Sequence, residues 1–226
     1  MTSYGQFCPV AKATEIIGEK WALLILRELL LGTCRFNDFQ RSMSRISPTV
    51  LNKRLKELEA KGIVLKRPLS GQRGHEYRLT AMGKELEPII EQVAIWGQRW
   101  ARGQMSEDEL DVELLMWDIH RRIRMDSLPD GETVLYFYFS DLDKYQKWWL
   151  VVSRDDVDLC TEDPGKYVDL YLSSDLRSMV EFWQGDQDLG TMLRRERILA
   201  TGSKALIRSM EDWFGLCVYA DVRPAE

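Results

Sequence analysis

Cysteine and histidine are scarce in this sequence. Among its 226 residues there are four cysteines and two histidines, and no two cysteines form a CxxC pair. This usage favours neither a zinc cluster nor a disulfide framework, and two histidines in unlike contexts argue against a metal site or a catalytic triad. A GxSxG elbow, a phosphate-binding glycine loop and an HExxH motif are also missing. The sequence therefore predicts a protein that is not an enzyme and uses no cofactor.

Long apolar runs are missing as well. No stretch approaches the roughly 18 residues that a membrane span needs, and the N-terminus has no apolar segment of the signal-peptide kind. We therefore expect a cytoplasmic protein without a membrane partner. A hydrophobic content of 45% with 30% charged residues is ordinary for globular proteins, and the length suits one large or two modest domains.

Charge divides the chain into unlike halves. Residues 1–103 contain seven Lys and ten Arg against ten acidic residues, a net charge of +7. Residues 104–226 contain fourteen basic and twenty-six acidic residues, a net charge of −12. A basic module joined to an acidic one is typical of a protein whose first domain binds a polyanion such as DNA.

Residues 36–62 predict a pair of short helices, the second suited to a DNA groove. Ser47 followed by Pro48 is a helix-start signal and Gly62 a stop, which places this helix at about residues 48–61. One face carries three leucines, and the other carries the polar residues Thr49, Asn52, Lys53 and Lys56. Thr, Asn and Lys are side chains that contact bases or phosphates, although an ordinary solvated amphipathic helix shows the same pattern. Asn37 is the expected cap of the preceding helix, with Phe36, Phe39 and Met43 on its buried side.

A basic hairpin is predicted after this helix. An apolar run at residues 63–65 and a returning segment at residues 75–80 flank a glycine-rich turn centred on residues 70–74. A hairpin with Arg67, Arg73 and Arg78 beside a recognition helix makes a winged helix-turn-helix. The predicted DNA contacts on a double-stranded operator are Ser47, Thr49, Asn52, Lys53, Lys56, Arg67, Arg73 and Arg78.

Several short motifs of the first hundred residues occur in the order of a known family. They are Cys8-Pro9-Val10, residues 15–21 (EIIGEKW), residues 24–29 (LILREL), Arg35-Phe36, Ile46-Ser47-Pro48, Leu51, Arg54-Leu55, Leu58 and Gly62. In these the chain resembles the HxlR-type transcriptional regulators, which are MarR-like. One departure is Glu19, where the family usually has a second glycine in the turn before Lys20.

The resemblance implies a homodimer, with contacts from the first and last helices of the domain. An apolar stripe agrees with this: Ile89, Ile90, Val93, Trp96 and Trp100 recur at steps of three and four. A partner helix is the expected cover, although the stripe could instead pack on the C-terminal domain. Pro88 predicts a kink or a break within this helical pattern.

The second half, residues 104–226, predicts an α+β domain with a mainly antiparallel sheet. A helix is expected from about residue 110 to 125. Strands are expected at residues 133–139, 148–152, 157–160, 168–172 and 197–200. Further helices are expected at residues 176–183, 189–193 and 203–213.

Motifs in this half resemble the sterol-carrier-protein-like domain that follows some HxlR-type regulators. They include residues 148–152 (WWLVV), Asp163-Pro164-Gly165 and residues 183–186 (WQGD). The resemblance implies an apolar cavity for a lipid-like or aromatic small-molecule effector. Abundant aromatic residues suit a pocket wall, although a filled aromatic core explains them equally well. The predicted ligand-binding residues are Trp117, Phe137, Phe139, Trp149, Phe182, Trp183 and Trp213.

Cys8 precedes Pro9 at the expected start of the first helix, where the helix dipole stabilises a thiolate. The family resemblance implies an oxidant-sensing role for a cysteine in this region, while a residue packed at the dimer interface is the alternative.

The sequence as a whole predicts a two-domain α+β protein. A winged helix-turn-helix domain for DNA binding and dimerisation occupies residues 1–103, and a sterol-carrier-like domain that senses an apolar molecule occupies residues 104–226. The alternatives are a cytoplasmic carrier of lipid-like ligands and a thiol-based redox regulator that acts through Cys8.

Overall fold

Two units make up the fold, Met1–Trp96 and Gly97–Glu226. The computed structural model describes residues 3–69, 71 and 73–225, apart from the side chain of Gln104. No helix of this part of the chain is long and apolar enough to cross a membrane.

The first unit contains six helices and a hairpin among its described residues. They are α1 (Pro9–Ile17), α2 (Ala22–Leu30), α3 (Phe36–Ser42), α4 (Pro48–Ala60), β1 (Val64–Pro68), β2 (His75–Leu79), α5 (Ala81–Lys84) and α6 (Glu87–Trp100). Helix, turn, helix and antiparallel hairpin follow one another as predicted, so the winged helix-turn-helix fold is confirmed. Its core centres on Ile25, Leu26, Phe39, Leu51 and Leu55, each of which is wholly buried.

The predicted cap of α3 was wrong. The helix begins at Phe36, and Arg35 holds the N-cap position without a side-chain capping hydrogen bond, so Asn37 lies inside the first turn. The backbone of Arg35 instead forms a bridge with Glu76 of β2, which fixes the approach of the chain to the helix. A long-range strand contact therefore decides this boundary, and local capping chemistry does not.

Pro88 marks a helix break, as predicted. Helix α5 ends at Lys84 and α6 begins at Glu87, so Pro88 lies in the first turn of α6, where a missing N–H costs no hydrogen bond. The last turn of α6 extends into the second unit.

The second unit combines a five-stranded sheet with five helices among its described residues. Its elements are α7 (Val112–His120), β3 (Thr133–Phe139), β4 (Lys147–Val152), β5 (Val157–Cys160), β6 (Leu170–Ser174), α8 (Leu176–Trp183), α9 (Leu189–Arg194), β7 (Ile198–Gly202), α10 (Lys204–Arg208) and α11 (Met210–Trp213). The strand order is β5-β4-β3-β6-β7, with the β3–β6 pair parallel and the other pairs antiparallel. The predicted mainly antiparallel α+β class is therefore confirmed.

Several predicted boundaries in this unit differ from the structure, most of them by one or two residues. Helix α7 ends at His120, since the chain beyond it forms a turn and a short 3-10 helix, Met125–Ser127. Strand β6 begins at Leu170 because its pairing with β3 starts there. The last predicted helix is two helices, which meet at Ser209.

Candidate nucleic-acid interface

Helix α4 is built as the sequence predicted. The Ser47 hydroxyl accepts a hydrogen bond of 3.3 Å from the Val50 amide, and Pro48 occupies the first turn. Leu51, Leu55 and Leu58 are at most 2% exposed and attach the helix to the core. Thr49, Asn52, Lys53 and Lys56 are exposed on the other side. The face that is free to enter a groove therefore carries the donors and acceptors needed to read bases.

One charge on this face has a partner in the protein. Lys53 Nζ lies 3.9 Å from Glu57 Oε1, one helical turn further along α4. The Lys53 side chain is 66% exposed, and exposed pairs of this kind contribute at most about 1 kcal/mol. A phosphate or a guanine can therefore displace Glu57 at small cost.

Arg54 anchors α4 to the turn before α2, a role that the sequence analysis did not predict. Its Nε donates to the Lys20 carbonyl at 3.0 Å, Nη2 to Glu19 at 2.8 Å, and Nη1 to Glu57 at 2.5 Å. The hydrogen bond to Glu57 is the main cause that raises the pKa of Arg54. The Glu19 carboxylate thus supplies a contact that a glycine lacks, and the turn forms with Trp21 in a left-handed conformation at φ 79°.

The wing carries its arginines on the solvent side. Arg67, Arg73 and Arg78 are all exposed, and β1 pairs with β2 in one antiparallel register. Ser70 and Gln72, which belong to the predicted turn, lie outside the described residues. Arg78 already donates from Nε and Nη2 to Glu76 Oε2, at 3.2 and 2.8 Å, a contact that its sequence position alone did not reveal.

Arg35 is a further basic residue at the wing. Its backbone bridges Glu76, and its charge helps to lower the pKa of that carboxyl, after the larger effects of Arg78 and Arg67. The sequence offered no local signal for this placement, because Arg35 is 41 residues from Glu76 along the chain.

Comparison with known proteins agrees with this geometry. The family model described as HxlR-like helix-turn-helix matches residues 16–105. The HTH-type transcriptional regulator YvaP of Bacillus subtilis (strain 168) is 36% identical over 97 residues, which are 42% of this chain and 90% of YvaP. YybR from the same strain is 38% identical over 92 residues, which are 40% of this chain and 74% of YybR. The chain belongs to the HxlR-like helix-turn-helix family.

Among solved structures, the redox regulator HypR in its oxidised form is 39% identical and has a TM-score of 0.38, covering 40% of this chain and 95% of HypR. On the strength of the family match and the curated relatives, the protein is a DNA-binding regulator of transcription. The match to the family model ends at residue 105, so nearly all of the second unit lies beyond it.

Helix α6 of the HxlR-like domain exposes an apolar face. Ile89, Val93, Trp96 and Trp100 are 47 to 63% exposed. A groove of about 470 Å³ on this helix is lined by Pro88, Ile89, Gln92, Val93 and Trp96. Ile90 does not belong to this face: it is 8% exposed and packs in the core of the first unit, because it lies about 100° around the helix from Ile89.

Cys8 stands at the N-cap of α1, as the sequence predicted. Its carbonyl accepts the Lys12 amide at 3.0 Å, and its side chain is half-buried. The neighbouring Phe7 is 98% exposed and Val10 is 72% exposed, so the start of α1 presents a second apolar surface in the first unit. A redox role of Cys8 stays a prediction.

The aromatic residues predicted to bind a ligand do not form one lining. Phe137, Phe139, Phe182 and Trp213 are at most 3% exposed and pack together in the main core of the second unit. The Trp213 indole donates to the Leu206 carbonyl at 3.0 Å, which completes its hydrogen bonding. Trp149 lies on the opposite face of the sheet with Val134 and Val151, because successive strand residues point to opposite faces. Trp149 therefore cannot line a cavity together with Phe137.

Two of the predicted residues, Trp117 and Trp183, are only partly buried. Trp117 stacks on His120 with ring centroids 5.1 Å apart. Trp183 packs at the margin of the main core, and its indole Nε1 and the neighbouring Gln184 Oε1 are buried. Within the described chain, neither of these two atoms has a hydrogen-bond partner. Buried polar atoms without partners are uncommon in folded proteins.

The segment around Trp183 and Gln184 also contacts the last turn of α6 and the residues that follow it. Arg102 forms an ion pair with Asp186, and its Nη1 donates to the Gln184 carbonyl at 3.5 Å. Gln98 donates to that carbonyl at 3.4 Å, and the Ala225 amide donates to the Arg99 carbonyl at 2.8 Å. Burial raises the pKa of Asp186, and the charge of Arg102 opposes that effect. The last turn of α6 is thus attached to the segment that contains Trp183.

Proposed function

We propose that the protein is a dimeric, cytoplasmic transcriptional regulator that binds a pseudo-palindromic DNA operator and responds to an apolar small molecule. In this proposal residues 1–103 bind DNA and dimerise, and residues 104–226 sense the effector. The proposed DNA contacts are those predicted from the sequence, with Thr49, Asn52, Lys53 and Lys56 on α4 and Arg67, Arg73 and Arg78 on the wing. No catalytic role is proposed for the second unit.

The exposed face of α6 is the observation that carries the proposal of a dimer. Four large apolar residues of one helix are about half exposed, and three of them, Ile89, Val93 and Trp96, line an apolar groove. Exposed apolar patches of this kind mark interaction sites in soluble proteins. A second copy of the same helix covers the patch in a two-fold arrangement, which also places two recognition helices for the two halves of a palindrome.

The unpartnered atoms of Trp183 and Gln184 support an effector site in the second unit. An indole N–H and an amide oxygen offer one donor and one acceptor to the polar end of a ligand, and the aromatic core beside them offers apolar contact. Because the segment that carries both residues also holds Gln98 and Arg102, a ligand that moves it acts directly on the end of α6. The sterol-carrier assignment of this unit remains part of the proposal.

Palmitic acid is a suitable probe of this coupling. If the full-length protein binds it in the second unit, we expect its operator affinity to change by roughly 5- to 150-fold, the usual range of coupling between two sites. The change should shrink in Asp186→Asn, which breaks the ion pair with Arg102, while palmitate binding persists. Titration of the protein by fluorescence, with and without the operator duplex, measures both affinities.

The outcomes separate the alternatives. If palmitate binds and the affinity for DNA does not change, the second unit does not regulate DNA binding through this ligand. Palmitate binding without affinity for any duplex, across a salt series, favours a carrier of lipid-like ligands, since a DNA-binding dimer loses affinity steeply as salt rises.

Thiol-based redox control through Cys8 is the second candidate function, favoured by the position of this residue at a helix N-terminus in an exposed apolar region. Hydrogen peroxide oxidises such a thiol to a sulfenic acid and is itself reduced to water. We expect peroxide to change the operator affinity of the wild-type protein and of Cys160→Ser, and to leave Cys8→Ser unaffected. An equal response of all three proteins would exclude Cys8 as the sensor.

A further inference from the structure

The outer face of the wing contains a carboxylate among three arginines. Glu76 on β2 is directly opposite Arg67 on β1, and its backbone bridges Arg35 on its other side. Arg78 lies two residues further along β2 and therefore on the same face as Glu76. Its Nε and Nη2 both donate to Glu76 Oε2, at 3.2 and 2.8 Å.

The other face of the hairpin is turned toward the protein. Tyr77, between Glu76 and Arg78, is 6% exposed and packs in the core of the first unit. Lys66 lies over the Tyr77 ring, 5.9 Å from its centroid, on that inner side. Since the inner face is covered, the face that carries Glu76 and Arg78 is the one that is open to a phosphate backbone.

Glu76 stays ionised under ordinary conditions. The hydrogen bond from Arg78 is the largest cause that lowers the pKa of this carboxyl, and the charges of Arg67 and Arg35 act in the same direction. One of the arginine charges on this face is therefore neutralised before DNA binds, by a group that also repels phosphate.

We propose that Glu76 is a specificity-determining residue, which weakens the binding of the wing to arbitrary DNA more than its binding to the operator. This inference rests on the DNA-binding role of the winged domain. Sequence-independent binding is almost wholly electrostatic, so the repulsion by Glu76 acts on it in full. At the operator, the recognition helix fixes the phosphate positions, and Arg78 is already oriented by Glu76 toward its contact. Only at the operator, where the phosphates hold these positions, does the pre-orientation of Arg78 offset the repulsion between Glu76 and phosphate.

The test compares Glu76→Gln with Glu85→Gln in the full-length protein. Both variants remove one carboxylate from an exposed or half-exposed site of the first unit, and Glu85 lies outside the wing. The probes are a random-sequence duplex and a duplex enriched from a random pool by the wild-type protein, each titrated across a salt series. We expect Glu76→Gln to bind the random duplex roughly fivefold more tightly, as one charge interaction near 4 Å in water implies. Its salt slope should steepen by about 0.9 for the additional phosphate contact.

Affinity for the enriched duplex should rise less in Glu76→Gln than affinity for the random duplex. The ratio of enriched-duplex affinity to random-duplex affinity therefore falls in Glu76→Gln and stays unchanged in Glu85→Gln. The gain on random DNA should be smaller when Arg78→Gln is present as well, because only the direct repulsion between Glu76 and phosphate is then relieved. Equal or weaker binding of Glu76→Gln to random DNA, or a gain of unchanged size without Arg78, overturns the inference. Failure of the wild-type protein to bind any duplex overturns DNA binding itself, and the inference with it. If Glu76→Gln does not fold by circular dichroism, Glu76→Ser takes its place in the same assays.

Discussion

Val93→Asp should halve the mass of the protein in solution. In the proposed dimer, Val93 lies in the seam between two copies of α6, where its present exposure of 51% is removed by the partner. A buried carboxylate without a cation costs several kcal/mol, and two-fold symmetry places one in each copy. The dissociation constant of the dimer should therefore rise about a thousandfold or more. Sedimentation velocity of wild type and variant measures the change.

Glu91→Lys is the matched control for this experiment. Glu91 is exposed on α6 but lies about 200° around the helix from Val93, so its variant should keep the mass of the wild type. A Val93→Asp protein that remains a dimer places the interface elsewhere. Leu24 and Leu31 on or beside α2, which are 41 and 43% exposed, would then be the next surface to test.

Asn52→Ala should weaken operator binding by about 1 to 3 kcal/mol, the usual cost of losing a side chain that reads a base. Asn52 is exposed near the middle of the polar face of α4 and is the side chain there best suited to a bidentate contact with adenine. Binding to random DNA should change little, because Asn52 carries no charge. Fluorescence anisotropy with the enriched and the random duplex measures both affinities.

Arg73→Ala in the wing provides the contrast. Removal of a phosphate contact should weaken binding to the enriched and the random duplex alike, and should flatten the dependence of log affinity on log salt by about one unit. Lys53→Ala should combine the two effects, since Lys53 reaches either a phosphate or a guanine after it leaves Glu57. Unchanged operator affinity in both Asn52→Ala and Lys53→Ala would show that α4 is not the recognition helix.

Local chemistry made the winged domain predictable. The Ser47-Pro48 start, the spacing of Leu51, Leu55 and Leu58, and the break at Pro88 each depend on residues within one or two turns. These signals act over short distances in the chain, so they can be recognised in the sequence alone. The aromatic-rich run of β3 and the apolar run of β4 located the central strands of the second unit for the same reason.

Contacts between distant segments were not predictable in this way. Arg54 holds Glu19 and Lys20 across more than thirty residues, and Arg35 meets Glu76 across forty-one. Ile90 was grouped with the apolar stripe predicted to form the dimer interface, although its side chain points into the core of the first unit. The aromatic residues of the second unit were predicted together as ligand-binding residues, with a filled core as the alternative, because the sequence does not assign them to faces of the sheet.

By itself, then, the sequence determined the fold class, the polar face of α4 and the basic character of the DNA-binding half, because helix periodicity, capping and charge are properties of short segments and of composition. Only the tertiary structure decided that Glu76 stands among three arginines, that Trp149 is separated from Phe137 by the sheet, and that Arg102 is tied to Asp186. The physical reason is that these relations depend on strand register and on the packing of elements far apart in the chain, which no local pattern encodes.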